Sequence, residues 1–179
     1  MIARGDLDGK IRQVKTSIAS TLVTHNTTSM VELSSNYRVI ITPLNTTNII
    51  QVHVNMPFNA SGMGANTIII LDVKRSTDGG SNWSYVTGSG YGDSNLGNRW
   101  PVAVGATRRS NGYDSNDMNI CSFSIIDKPA TTSTCTYSIF MKQETSNTGN
   151  VLIAHSSGNN SNWGWMTPVV MTAYELDDD

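Results

Sequence analysis

The chain has 179 residues and a formal net charge of −2, enough length for one domain with a real core. It contains no basic block for phosphate contacts, no apolar run near the ~20 residues of a membrane span, and no apolar stretch of signal-peptide type in its first ten residues. We therefore expect no nucleic-acid partner, no membrane insertion and no classical secretion.

Uncharged polar side chains dominate the composition. Ser, Thr and Asn together make 59 of the 179 residues, whereas Glu and Lys together number eight. The side chains of Ser, Thr and Asn compete for backbone hydrogen bonds, which favours turns and strand faces over helix interiors. The composition therefore predicts a mostly β protein with weakly charged surfaces.

Taken in chain order, residues 1–10 mix charges and Gly with few apolar side chains, which predicts a flexible N-terminal arm. Period-two alternation then marks about nine or ten strands, which is typical of a sandwich or barrel. We expect the domain to span residues 11–176 and residues 177–179 to form an acidic tail. The predicted strands lie within residues 11–19, 30–43, 48–56, 67–76, 83–86, 119–127, 135–144, 150–155 and 167–176.

One motif lies between two of these strands, in the stretch RSTDGGSNWSYV. Ser76, Asp78, Gly80 and Trp83 follow the pattern S-x-D-x-G-x-x-W, which resembles the Asp-box hairpin of sialidase-type propellers. The carboxylate can accept backbone N–H bonds, a glycine can take φ > 0, and the indole can cover the hairpin. A propeller would need several copies, so we interpret this single copy as a structural turn; a small glycan-active enzyme is the alternative.

No catalytic or metal constellation stands out. His25, His53 and His155 are isolated, and zinc would need a local pair or a Cys-x-x-Cys motif. No nucleophile motif and few paired carboxylates occur. We expect no enzyme activity, no catalytic residue and no cofactor or metal; Asp93, Asp114 and Asp117 suit Ca²⁺ by their oxygens but are interpreted as solvated loop residues.

Cys121 and Cys135 occupy apolar positions of two alternating runs. A hairpin centred near residue 130 would place Cys135 opposite Ile125 and Cys121 opposite Ile139. The two thiols would then point into the core out of register. We expect two buried free thiols rather than a disulfide.

The long segment from Gly88 to Asn116 is rich in Gly and Asn and is the predicted ligand-binding region. Aromatic platforms beside amide and guanidinium donors suit carbohydrate or protein surfaces. The alternative is an ordinary long connection with one Trp buried. The candidate residues are Tyr91, Arg99, Trp100, Arg108, Arg109 and Tyr113.

A resemblance to a known protein family extends over residues 11 to 176 and rests on the order of several short segments. The segments are Ile11 to Val14, Val39 to Pro43, Ile50 to Val54, Ile68 to Gly80, Asp127 to Pro129, Tyr137 to Ile139 and Met171 to Leu176. This order resembles short virion-associated proteins and fibre domains of tailed, cyanophage-like phages, whose fold is similar to the tumour-necrosis-factor and complement globular-head jelly roll.

The resemblance implies an antiparallel jelly-roll sandwich that forms a homotrimer about an axis parallel to the strands. Independently, large apolar side chains in a Gly-flanked loop before the last strand predict a trimer interface or a cap on the sandwich. The candidate residues are Trp163, Trp165 and Met166 in this loop and Met171 in the last strand itself.

We therefore expect a non-enzymatic phage virion structural protein, a trimeric surface decoration, cement or knob protein that contacts other virion proteins. The short arm before the first strand favours a self-standing protein over the distal part of a long fibre. The alternative is a tail-associated receptor-binding tip that recognises a host glycan or surface protein.

Overall fold

The computed structural model describes residues 11–60, 68–86, 118–143, 149–156 and 166–177, together with the backbone of residues 105–108. The predicted arm 1–10 and the last two residues of the acidic tail lie outside these ranges. The elements are β1 (Ile11–Ala19), β2 (Val23–His25), β3 (Val31–Glu32), a 3₁₀ helix (Ser35–Tyr37), β4 (Val39–Ile41), β5 (Ile49–Asn59), β6 (Ile68–Ser76), β7 (Ser84–Tyr85), β8 (Gly105–Arg108), β9 (Asn119–Asp127), β10 (Cys135–Gln143), β11 (Val151–Ile153) and β12 (Val169–Leu176).

The first sheet, sheet A, contains β1, β12, β5 and β9 side by side, all antiparallel. Strand β5 is its centre, since β12 pairs with one edge of β5 and β9 pairs with the other. Beyond the start of β12, the short strands β11 and β2 continue the sheet along the last residues of β5. Strands β1 and β9 are therefore the lateral strands of sheet A within the described residues.

The second sheet, sheet B, is built on β10 and β6, which pair over eight residues. Strands β3 and β4 pair with the other edge of β10, and β7 and β8 pair with the other edge of β6. The chain passes back and forth between the two sheets, with β4, β6 and β10 in sheet B and β5, β9 and β12 in sheet A. This strand order is an antiparallel jelly-roll sandwich, which confirms the predicted fold class.

The core lies between the two sheets and follows from period-two alternation. On β5, Ile50, Val52 and Val54 are fully buried while the residues between them are half-buried on the opposite face. Facing them from sheet B are alternate residues of β6 and β10, including Leu71 and Ile139, both fully buried. Each fully buried aliphatic side chain contributes about 1.5 to 3 kcal/mol relative to an exposed one, so this layer is the main source of stability.

At one end of the core, an ion pair joins the two sheets. Arg75 on β6 donates to the Asp127 carboxylate on β9 at 2.5 Å, and the Tyr137 hydroxyl on β10 donates to the same oxygen at 2.8 Å. Asp127 is fully buried. Burial, followed by the neighbouring Asp127 carboxylate, raises the pKa of Tyr137 well above its ordinary value. The phenol therefore stays a hydrogen-bond donor, and the pair is a structural tie between the sheets.

The cysteine hairpin predicted from the sequence is wrong in its pairing. Strand β9 pairs with β5 in sheet A, whereas β10 pairs with β3, β4 and β6 in sheet B. The loop after Asp127 therefore crosses between sheets instead of closing a hairpin. Both thiols are free: Cys135 is fully buried and Cys121 is half-buried against the core. Burial raises the pKa of each thiol, which keeps both protonated.

Candidate functional site

The Asp-box stretch forms the turn between β6 and β7. The Asp78 carboxylate accepts hydrogen bonds from the backbone N–H groups of Ser81 at 3.1 Å and Asn82 at 2.9 Å. It also accepts from the Ser76 hydroxyl and from the Asn82 amide, both at 2.6 Å. The Ser76 hydroxyl in turn accepts from the backbone N–H of Gly80 at 2.8 Å. These donors, with Ser76 first, hold the pKa of Asp78 well below its usual range.

Both glycines of the turn adopt a left-handed backbone conformation, with φ of 74° at Gly79 and 96° at Gly80. Gly80 also lacks room for a side chain, because an added Cβ would lie 2.5 Å from a guanidinium nitrogen of Arg38. The left-handed backbone therefore favours glycine at both positions, and a Cβ at Gly80 would in addition displace the Arg38 guanidinium.

Arg38 anchors this turn to sheet B. Its guanidinium makes a bidentate ion pair with Glu32 on β3, at 2.7 and 2.8 Å, and donates to the carbonyl of Gly79 at 3.2 Å. The same guanidinium lies over the Trp83 ring, and that ring packs edge-on against Phe140 on β10 with centroids 5.2 Å apart. Because both of its carboxylate oxygens accept hydrogen bonds from within the turn, Asp78 acts as a structural acceptor.

A different surface stands out on sheet A. Its outward side presents four side chains from each of four strands, and none of the sixteen is Asp, Glu, Lys or Arg; we call this grid the uncharged face. The β9 members are displaced along the sheet by one position of the grid, since Ile120 pairs with Pro57. Eight of its sixteen members are aliphatic. They are Ile11, Val14, Thr16 and Ile18 on β1, Val170, Thr172, Tyr174 and Leu176 on β12, Ile49, Gln51, His53 and Asn55 on β5, and Ile120, Ser122, Ser124 and Ile126 on β9.

Several large apolar side chains of the uncharged face are open to solvent. Ile18 is 67% exposed, Ile120 64% and Ile11 57%, and Val14 and Ile126 are about half exposed. The grid spans on the order of 500 Å² if strands lie about 4.8 Å apart and two residues advance about 6.8 Å. About half of that area belongs to aliphatic side chains, and they are interleaved with uncharged polar ones.

The outward side of sheet B is different in character. Glu32, Lys74 and Lys142 lie on it, and so does Asp72 on β6. The ammonium of Lys74 lies over the Tyr85 ring at 4.4 Å and over the Phe140 ring at 4.7 Å. Sheet B therefore carries charges on its outer side, and sheet A carries none within the grid.

Asp72 is an unusual member of this charged side. It is 1% exposed, and neither carboxylate oxygen has a hydrogen-bond partner among the described residues. Burial raises the pKa of Asp72 to about 6, although the backbone at Val73 and the charge of Lys74 act in the opposite direction. The carboxylate is therefore held at a cost to folding above that pH.

The sequence-predicted ligand residues fall mostly outside the described part of the chain. Tyr91, Arg99, Trp100, Arg109 and Tyr113 lie there, and for Arg108 only its backbone place at the end of β8 is described. Ligand binding by these residues stays a prediction.

The predicted interface or cap residues divide in the same way. Trp163 and Trp165 lie outside the described ranges, and Met166 is 62% exposed and forms an isolated β-bridge with His155. Met171 is fully buried in the layer between the sheets. It faces inward because it alternates with the outward residues Val170 and Thr172, so Met171 belongs to the core of its own chain.

Sequence reasoning missed the uncharged face. Two signals were present, the aliphatic residues Ile120 and Ile126 on the otherwise polar side of β9 and the lack of charge at alternate positions of β5. Neither signal identifies a face until the neighbours of each strand are known. On β1, a register shift between Ile11 and Gln13 also interrupts the period-two alternation.

Among the described residues, no three His, Cys, Asp or Glu side chains come close enough together to hold a metal ion. No helix in the described part of the chain has the length and apolar character needed to cross a membrane.

Among known proteins, similarity to this chain is found in solved structures. No protein-family model matches the chain, and no curated protein matches it. Among solved structures, the chain is similar to the crystal structure of the infectious bursal disease virus VP2 subviral particle, with a TM-score of 0.37 and 12% identity. The similarity covers 93% of this chain and 38% of that chain. The jelly-roll assignment rests on the strand order of this chain itself.

Proposed function

We propose that this chain is a non-enzymatic virion structural protein, a trimeric decoration, cement or knob protein of a phage particle. The proposal of a trimer rests on the uncharged face. The order of short segments along the sequence, which resembles virion-associated phage proteins, supports the virion part. The Asp-box turn supports the proposal that the protein is not an enzyme, because both carboxylate oxygens of Asp78 accept hydrogen bonds within the turn.

The uncharged face suits contact with further copies of the same chain. A charged partner surface would lose its hydration there without gaining an opposite charge. Three copies that turn this face inward would bury Ile11, Val14, Ile18 and Ile126 about an axis parallel to the strands. Stable pairwise interfaces bury about 800 Å² per partner, and each copy of a trimer makes two of them. A projected grid on the order of 500 Å² would therefore form the axial centre of the contacts, and the surfaces beside it would supply the rest.

Strand direction supports a defined orientation on the particle. Ile11 and Leu176 are register partners, so the start of β1 and the end of β12 lie at the same end of sheet A. In sheet B, the end of β6 pairs with the start of β10, so the Asp-box turn after β6 lies where β10 begins. In sheet A, Asp127 at the end of β9 pairs with Ile50 near the start of β5, and the chain runs from Asp127 into β10 at this same end. We propose that this end faces the particle and that residues 1–10 contact other virion proteins.

The experiment is cryo-EM of phage particles that carry the wild-type chain, compared with particles from which the chain has been deleted. The proposal expects a three-lobed density on the particle surface that is lost in the deletion and that accepts three copies of the sandwich. Density confined to a tail tip would replace it with the receptor-binding alternative, in which a host glycan or surface protein is the partner. Absence of the chain from purified particles would overturn the proposal.

A further inference from the structure

His53 lies in the interior of the uncharged face. Its register partner on β12 is Thr172 and its register partner on β9 is Ser124. The imidazole Nδ1 lies 3.0 Å from the Ser124 hydroxyl oxygen. A shallow depression beside it is lined by Ile11, Gln51, His53, Ser124, Tyr174 and Leu176. The ring therefore sits where the proposed trimer would cover it.

The groups that surround His53 cannot compensate a positive charge. On β5 its same-face neighbours are Gln51 and Asn55, and β9 contributes serines and an isoleucine. Strand β12 contributes Thr172 and Tyr174, and beyond it β1 contributes Val14 and Thr16. Tyr174 is the one other titratable side chain in the grid, and it gains no positive charge on acidification.

The nearest described charges lie at the margins of the uncharged face. Lys128 follows the last residue of β9 and is itself cationic. At the other corner Arg12 lies in the register shift of β1 and is held by Asp177 at 2.5 Å. No carboxylate of the described residues belongs to the grid, so protonated His53 would face uncharged groups and, in an assembly, the same residue of other copies.

We propose that acidification dissociates the assembly through His53; this inference rests on the proposed trimer. Histidine is the side chain whose ordinary titration falls between pH 5 and 8. Each symmetric contact would bury one imidazolium per copy in an uncharged interface. Burial of an uncompensated charge is costly, and three like charges about one axis repel each other. The folded sandwich itself remains, because His53 is partly exposed in the single chain.

Sedimentation velocity over a concentration series tests this, with wild type compared at about pH 8 and about pH 5. The inference expects trimers at the higher pH and an apparent dissociation constant raised about tenfold or more at the lower pH. His53→Gln, which stays uncharged and keeps hydrogen-bonding capacity, should remain trimeric at both. His155→Gln is the matched control, since His155 bonds the Ser20 carbonyl outside the grid, and it should dissociate like wild type. Far-UV circular dichroism of each sample monitors the fold.

The outcomes separate the two proposals. A wild-type chain that is monomeric at about pH 8 overturns the proposed trimer. A wild type that is equally trimeric at both values overturns the role of His53 and leaves the trimer standing. Acid dissociation that persists in His53→Gln, with the circular dichroism unchanged, assigns the effect to another group and likewise overturns the inference.

Discussion

The guanidinium carbon of Arg38 lies over the indole ring of Trp83, 5.2 Å from the ring centroid. This contact joins the segment before β4 to the turn after β6, which are 45 residues apart in the sequence. Because the same guanidinium also pairs with Glu32 and with the Gly79 carbonyl, one side chain connects β3, the turn and the aromatic cover of sheet B. The Asp-box motif is therefore completed by a residue outside the motif.

The first prediction concerns this contact. Trp83→Ala removes the half-buried indole from Phe140 and Arg38, and we expect a loss of about 2 kcal/mol in the free energy of unfolding, below the range for a fully buried Trp. Urea unfolding followed by circular dichroism measures it. Ser84→Ala, a change at an exposed neighbour, serves as the control and should lie close to wild type. A Trp83→Ala midpoint equal to that of the control would contradict the role of the ring.

Gly80 offers a second test of the same turn. Gly80→Ala forces a Cβ toward the Arg38 guanidinium and places a non-glycine residue at φ 96°. Gly79→Ala shares the left-handed backbone, but nothing lies within 4 Å of the added Cβ. We expect both to lower the thermal midpoint and Gly80→Ala to lower it more. Equal losses would show that Arg38 moves aside without cost.

The turn also predicts a dependence on pH. Asp78 has a lowered pKa in the folded chain, so its ionised form contributes stability above the ordinary pKa of about 4, and that contribution is lost as the pH falls through the folded value. Asp78→Ala should therefore have a lower thermal midpoint than wild type near neutral pH, and the difference should shrink below about pH 3. A difference in thermal midpoint that is constant over this range would contradict the stabilising role of the ionised Asp78 carboxylate. Loss of a glycoside hydrolase activity in Asp78→Ala would instead favour the enzyme alternative.

Asp72 should have the opposite effect on the pH dependence of stability. Burial raises its pKa to about 6, so ionisation costs stability in the folded state as the pH rises from about 4 to above 6. Asp72→Asn removes that cost, and we expect the variant to gain on the order of 1 kcal/mol relative to wild type between these limits. Chemical unfolding at both pH values measures the gain. A pH-independent difference between the two proteins would contradict it.

The two ends of the chain support an asymmetric prediction about the particle. Deletion of residues 2–9 should leave the sandwich folded and lower its occupancy on particles, whereas deletion of 178–179 should change neither. Asp177 is kept in this control because it pairs with Arg12, so the first residue of the predicted acidic tail is held against β1. Quantitative gel analysis of purified particles measures the occupancy. Equal occupancy of both truncated chains would favour the receptor-tip alternative.

Local patterns predicted the strands better than their partners. Alternation along β5 and the Gly-rich turn between β6 and β7 were readable because both depend on neighbours within a few residues. The hairpin across Pro129 was wrong because alternation shows which side chains share a face and leaves the choice of sheet open. Glu175 illustrates the same limit, since it is fully buried at an inward position of β12 and depends on donors from Gln13 and Asn48, distant in sequence.

The mass of the assembly tests most directly whether the chain associates through the uncharged face. Sedimentation equilibrium at micromolar concentration and neutral pH should give wild type about three times the 19.4 kDa chain mass. Val14→Asp and Ile126→Asp, each placing a carboxylate in the grid, should sediment as folded monomers. Ile40→Asp alters a side chain that is 54% exposed on sheet B and should remain trimeric. A wild-type monomer, or trimers unaffected by both grid substitutions, would contradict the account.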